Sequence, residues 1–340
     1  MSAAPDAPLL RVQDLVKHFP ARGVTRQRGA VVHAVDGVSF EIRLGQTLGL
    51  VGETGCGKST VARLVTRLLE PTSGRIEYQG TDITHWSRRR LRPLRRQIQI
   101  IFQDPYSSLN PRRRVGSIVG DPLRAHGIGG RSEQQRRVAE ILQLVGLDPT
   151  HADRYPHQFS GGQRQRVGVA RAIVTNPRLV VADEPVSALD VSIQAQILNL
   201  VADLRTEFGL ALLFISHDVS VVRHVSDRVA VMYLGKIVEL AETERLFSAP
   251  AHPYTAGLLA AVPLARTQGS RRQRVDIPGE PPSPLAPPSG CRFRTRCPFA
   301  QQVCTEVEPP LEPRAGSLVA CHFPLGGGRE GNAAARVTAT

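Results

Sequence analysis

Gly52-Glu53-Thr54-Gly55-Cys56-Gly57-Lys58-Ser59-Thr60 is the stretch on which the reading of this 340-residue chain turns. It fits G-x-x-x-x-G-K-[ST], and its setting is the one that pattern needs: the apolar run Thr47–Val51 predicts a buried strand before it, and a helix is predicted to begin near Lys58. Gly52, Gly55 and Gly57 let backbone N–H groups crowd around phosphates, and the helix N-terminus adds positive potential. Lys58 is expected to reach β- and γ-phosphates, and Ser59, followed by Thr60, to ligate Mg²⁺. An inert glycine-rich turn would explain neither the lysine nor the hydroxyl.

Downstream, Leu179-Val-Val-Ala-Asp183-Glu184 is an apolar strand ending in two carboxylates. Such strings are common alone. After a phosphate loop, however, the strand's end is expected beside that loop, with Asp183 serving Mg²⁺ and Glu184 polarising an attacking water. Apolar alternation predicts strands in LLRVQDLVKHF and VVHAVDGVSFEI, separated by the polar loop PARGVTRQRGA. GRIEY, IQIIF, ALLFI and RVAVMYL add further strands, and SIQAQILNLVADLRTEF a helix. Strands alternating with helices argue for a mostly parallel sheet. The helical pattern from Asp104 to about Pro177 is expected to be an inserted subdomain.

Apolar residues make up 41 % and charged residues 21 %, a globular balance. No run approaches the roughly 20 apolar residues of a membrane helix. The N-terminus MSAAPDAPLLRVQDL lacks the basic start and apolar stretch of a signal peptide, so a cytosolic protein is expected. The net charge of +13 fits a solvated basic surface, nucleic acid or an anionic leaflet; its arginine clusters lack interleaved aromatics for stacking bases. Near residue 265 the composition changes, with the proline-rich IPGEPPSPLAPPSG ahead of four clustered cysteines. The tail from 325 to 340 has too little apolar content to pack and is expected to be disordered.

Phe159-Ser160-Gly161-Gly162-Gln163 lies between the phosphate loop and the carboxylate strand. It resembles the signature motif of ATP-binding cassette (ABC) proteins, with Phe159 where leucine is more usual. Gln103 in IFQDP resembles that family's Q-loop, Ser187-Ala188-Leu189-Asp190 its D-loop, and His217 in FISHD its switch histidine. Phe19 occupies the place of the aromatic that stacks on adenine. The resemblance covers about residues 8–262. It implies an α/β fold, the ABC-type P-loop nucleotide-binding domain, with an inserted helical subdomain and an antiparallel β-subdomain. It also implies two cassettes dimerised head to tail around ATP. Ser160, Gly161, Gly162 and Gln163 would then serve the partner's nucleotide, His217 would contact the γ-phosphate, and Gln103 would link the Mg²⁺ site to the helical subdomain.

QDPYSSLNPR, RYPHQFSGGQRQR, ADEPVSALDVS, HPYT and PGEPPSPLAPP resemble the dipeptide/oligopeptide importer ATPases. Nickel and glycoside importers share much of this wording. The resemblance implies a paralogous second ATPase, two membrane-spanning permease subunits, an extracytoplasmic binding protein that selects cargo, and a place on the cytoplasmic face of the membrane. An ABC protein acting on nucleic acid or ribosomes is the competing class. The short span from Gln103 to Ser160 favours transport and no specific nucleic acid. A regulator that does not turn over ATP would not need intact Lys58, Asp183, Glu184 and His217. Expected boundaries are 8–264 for the ATPase domain, with the helical subdomain about 104–177, and 265–324 for the cysteine-bearing extension.

Of five cysteines, Cys56 fills space in the phosphate loop, and Cys291, Cys297, Cys304 and Cys321 cluster in the extension. Four thiolates suit tetrahedral zinc or an iron–sulfur cluster. The spacing C-x₅-C-x₆-C-x₁₆-C lacks the C-x₂-C knuckles of zinc ribbons, and Cys297 precedes a proline, as some cluster ligands do. Zinc and free thiols remain alternatives; the resemblance to peptide-importer ATPases implies a 4Fe–4S cluster with a structural or regulatory role.

Overall fold

The computed structural model describes residues 7–21, 30–104, 108–187, 189–261, 275–314 and 316–326. The loop PARGVTRQRGA falls mostly outside them, as do Ala188, the boundary expected near residue 265 and all but the first two residues of the 325–340 tail.

The strands with continuous apolar runs form the centre. β3 (Thr47–Val51), β7 (Leu179–Asp183) and β8 (Ala211–Ser216) are buried along their whole length, as strands covered on both faces must be. With β6 (Ile98–Ile101) and β9 (Arg228–Tyr233) they make a parallel array in the order β9-β3-β8-β7-β6. The expected mostly parallel sheet needs one correction. Beyond β9, three further strands run antiparallel: β10 (Lys236–Glu242), β12 (Ser317–Val319) and β11 (Glu312–Arg314). β9 and β10 join through Leu234 and Gly235, both at positive φ (42° and 83°), the two-residue geometry that matches strand twist. A single glycine after a leucine announces such a turn only weakly.

The alternating N-terminal strands form a separate antiparallel sheet, β2-β1-β4-β5, from β1 (Leu10–Pro20), β2 (Val31–Ile42), β4 (Ser73–Tyr78) and β5 (Thr81–Asp82). One core lies between this sheet, the parallel array and α1 (Lys58–Val65), which buries Val61, Ala62, Leu64 and Val65. Two single-turn helices, α2 (Arg88–Leu91) and α3 (Leu94–Gln97), lead into β6. Between β6 and β7 stand α4 (Val115–His126), α5 (Arg131–Leu144) and α6 (Gly161–Ile173). They share a second core with α7 (Val191–Phe208) and the opposite face of the parallel array. α8 (Val219–Val225), α9 (Thr243–Ser248), α10 (Pro253–Ala260) and α11 (Val303–Glu306) complete the chain. No helix among the described residues is long and apolar enough to cross a membrane.

Candidate functional site

The phosphate loop leaves the C-terminal end of β3, the central strand, where parallel sheets open their binding crevices. Gly57 adopts φ 110°, and a Cβ there would lie 2.0 Å from the Ala34 carbonyl oxygen, so only glycine fits. The loop backbone is tied by Gly235 N–H donating to Cys56 O (2.9 Å) and Val61 N–H to Gly57 O (3.0 Å). Lys58 Nζ donates to the Gly52 (2.8 Å) and Glu53 (3.0 Å) carbonyls, which keeps a nearly buried ammonium satisfied.

Beside it, Ser59 Oγ donates to Asp183 Oδ1 at 2.9 Å. Burial pushes the Asp183 carboxyl above its ordinary pKa; the Ser59 hydrogen bond opposes this, and nearby Glu184 adds to it. A hydroxyl and a carboxylate oxygen so placed are hard donors of the kind Mg²⁺ takes while keeping waters, and a cation there would offset the desolvation. Glu184 stands in the left-handed region at φ 47°, with its N–H donating to Ile215 O (2.9 Å). Strain of this kind persists where the surroundings dictate it. Its Oε2 accepts from Gln103 Nε2 at 3.0 Å and lies 3.2 Å from His217 Nδ1. Residues 81 and 33 positions away thus meet at one carboxylate.

Gly55, Gly57, Lys58, Ser59, Thr60, Gln103, Glu184 and His217 line an open cleft of 570 Å³; Gly52 and Asp183 are not on its wall, Asp183 joining it through its hydrogen bond from Ser59. Val32, Ala34, Thr54, Ser187 and Pro284 also line it. Thr54 and Ser187 belong to stretches read from sequence, whereas Val32, Ala34 and Pro284 were not singled out there. Pro284 comes from the proline-rich stretch, with its carbonyl accepting from His33 N–H (3.0 Å), and no local signal announces that contact. Phe19 is not on the wall; it sits opposite Val32 in the β1–β2 ladder, at the cleft's margin.

Ser160, Gly161, Gly162, Gln163 and Asp190 lie outside this cleft. Ser160 caps α6, accepting from Gln163 N–H (3.3 Å) while Gln163 Oε1 accepts from Ser160 N–H (3.1 Å). Asp190 begins α7, its carbonyl accepting from Ile193 and Gln194 N–H. A Cβ on Gly162 would come within 2.5 Å of Ile193 Cγ2, so that glycine sets how closely α6 meets α7.

Cys291, Cys297, Cys304 and Cys321 line one narrow pocket with Phe293, Phe299, Phe323 and His252. Burial raises the thiol pKa of Cys291, of Cys297 to about 11 and of Cys321 to about 12, so as bare thiols these are protonated and inert. Among the described residues, the only three His, Cys, Asp or Glu ligand atoms mutually within 4.8 Å belong to His18, His33 and Asp36. Hence no three cysteine sulfurs are that close, whereas tetrahedral zinc with Zn–S of about 2.3 Å needs sulfurs about 3.8 Å apart.

The relatives of the chain bear on the same two sites. The family description "ABC transporter" matches residues 35–187, and "Oligopeptide/dipeptide transporter, C-terminal region" matches 238–304. The oligopeptide transport ATP-binding protein AppF of Bacillus subtilis is 52 % identical over 95 % of this chain and 99 % of its own length. The dipeptide transport ATP-binding protein DppF of Escherichia coli is 48 % identical over 92 % of this chain and 94 % of its own. A solved structure, the dimeric post-hydrolysis state of the ATP-binding cassette MJ0796 bound to ADP and Pi, superposes with a TM-score of 0.62 at 27 % identity, covering 69 % of this chain and 98 % of that one. With the phosphate loop, the paired carboxylates and relatives matched over nearly their whole length, the chain belongs to the ABC transporter family, among its oligopeptide and dipeptide transport ATP-binding proteins.

Proposed function

We propose that this chain is the ATP-hydrolysing subunit of an importer of di- and oligopeptides, docked on permease subunits at the cytoplasmic face of the cell membrane. The observation that carries the ATPase reading is the convergence of Lys58, Ser59–Asp183 and Gln103–Glu184–His217 on one cleft. Lys58 neutralises phosphate charge. Ser59 and Asp183 would hold Mg²⁺, with Gln103 nearby, and there it would supply neutralisation of phosphate charge. Gln103 and His217 hold the Glu184 carboxylate from one side, which orients it to draw a proton from the attacking water.

The peptide cargo rests on the printed function of the relatives and on the C-terminal match. Placement of Ser160, Gly162 and Gln163 outside their own cleft supports a head-to-tail pair in which they serve a second cassette, a paralogue or another copy. The division into an ATPase domain (8–264, helical part about 104–177), an extension (265–324) and a tail is kept as part of this reading; its boundary near 265 and most of the tail lie outside the described residues. For the four cysteines we favour a 4Fe–4S cluster over zinc: all four line one pocket, and no three of their sulfurs lie mutually within 4.8 Å, wider than the spacing a single tetrahedral zinc takes.

Labelled di- and oligopeptide uptake in cells lacking the gene, complemented with wild type or Glu184→Gln, tests the function. Rescue by wild type alone is expected; undiminished uptake in the deletion strain would remove peptides as the cargo. Anaerobically purified protein is expected to carry iron and acid-labile sulfide in equal amounts, both lost in Cys304→Ser. Iron-free, sulfide-free wild-type protein would end the cluster assignment.

A further inference from the structure

The cysteine site and the phosphate loop are not independent in space: of two arginines adjoining the cysteines, Arg296 reaches the loop itself and Arg292 the turn that holds it. Arg296, next to Cys297, places Nη1 at 3.1 and 2.9 Å from the two carboxylate oxygens of Glu53, the second residue of the loop. Its Nε donates to Pro278 O (3.1 Å), and its side chain is only 8 % exposed. Arg292, next to Cys291, donates to Leu234 O and to Asp36 in β2. Gly235, which follows Leu234, donates its N–H to Cys56 O inside the loop (2.9 Å). Between the two arginines, Phe293 is 1 % exposed and packs against Tyr233 (5.3 Å between ring centroids) and Tyr254 (5.4 Å). Tyr254 Oη in turn accepts from Glu53 N–H (3.1 Å).

Glu53 is the joint of this arrangement. Its carboxylate holds Arg296, its N–H holds Tyr254, and its carbonyl accepts from Lys58 Nζ at 3.0 Å. A half-buried carboxylate deprived of its cation is driven toward water and takes its backbone with it. The lysine expected at the phosphates is therefore one residue removed from the cysteine segment. We propose that Arg296, supported by Arg292, is a positioning residue for the phosphate loop, and that through it the state of the four-cysteine site and the affinity for ATP are coupled. By linkage the coupling runs both ways. The inference rests on the reading of the cleft as the ATP site.

The test is the equilibrium dissociation constant for ATP on the full-length chain purified anaerobically, with thermal unfolding alongside. Arg296→Gln is expected to weaken ATP binding by about fivefold or more, and Arg296→Lys by less. Adding Glu53→Gln to Arg296→Gln is expected to restore most of the affinity, because no unpaired carboxylate then pulls on the loop. Purely structural damage would not be rescued that way. Cys297→Ser is expected to weaken ATP binding in the wild-type background and to have no further effect on top of Arg296→Gln. An Arg296→Gln affinity within about twofold of wild type, no rescue by Glu53→Gln, or equal Cys297→Ser effects in both backgrounds would overturn the proposal. Should Arg296→Gln fail to fold, the Cys297→Ser effect is compared between Arg296→Lys and wild type, and an undiminished effect counts against it. Lys58→Ala separates this from the parent reading: wild type that binds no ATP, or binds it as Lys58→Ala does, defeats the assignment of the cleft itself.

Discussion

Glu184 gathers the catalytic geometry at a single carboxylate. Oε2 meets both Gln103 and His217, and the left-handed backbone at φ 47° turns the side chain away from the strand it follows. Replacing it by glutamine keeps the shape and the Gln103 neighbour but removes the proton acceptor. Purified Glu184→Gln is expected to lose ATP hydrolysis by about 10² to 10⁴ while still binding ATP, as measured by phosphate release and nucleotide binding. Equal loss of binding would instead mean that the residue holds nucleotide. Asp183 and Glu184 were legible as a pair because an apolar strand ended on them after a phosphate loop. The Arg296–Glu53 pair was not, since an arginine among forty-three basic residues has no local mark when its partner lies 243 positions away.

At the scale of elements, the junction of α6 and α7 joins the signature stretch to the residues around Asp190. Its spacing depends on Gly162, whose absent Cβ leaves room for Ile193 Cγ2. Alanine there would gain up to about 1 kcal/mol of helix propensity, yet overpacking typically costs about 1–3 kcal/mol. Gly162→Ala is expected to lower stability by about 1 kcal/mol in urea unfolding, and Ile193→Ala in the same chain to abolish that penalty. A Gly162→Ala protein more stable than wild type would show that the junction yields without strain. Most strands and long helices were legible from apolar runs and alternation. β10, β11 and β12 were missed: β10 hides behind a tight turn, and β11 and β12 are three residues each, too short to show a period.

Across the whole molecule, stability is tied to pH through the buried join between the large sheet and the cysteine segment. His252 is 1 % exposed, and its Nδ1 accepts from Tyr254 N–H (3.0 Å) at the start of α10. Burial lowers its pKa to about 3, against an ordinary 6.5. The unfolded chain therefore takes up a proton below pH 6.5 that the native state refuses until about pH 3. Its contribution to stability is present above that window and lost as pH falls through it, by up to about 1.4 kcal/mol per pH unit. Glu239, raised by burial though its carboxylate accepts from Ala251 and His252 N–H, acts oppositely. Its contribution is present at acid pH and lost as pH rises through its elevated value. Glu239 acts from its ordinary 4.5 up to its elevated value in both proteins, so the His252 part is read as the difference between them: in urea unfolding from pH 7 to pH 5.5, wild type is expected to lose stability relative to His252→Asn. An equal slope in both would mean that His252 contributes nothing to the pH dependence. By itself the sequence determined the phosphate loop, the carboxylate strand, the order of the motifs and the family, because each is a local pattern whose chemistry needs neighbours within a few residues. The folded chain alone brings certain of those residues to one cleft, sets Pro284 on its wall, and joins the cysteine segment to the loop through Arg296 and to β2 through Arg292. Those contacts span up to 256 positions, and buried long-range pairs are set by how the sheet folds the chain back on itself.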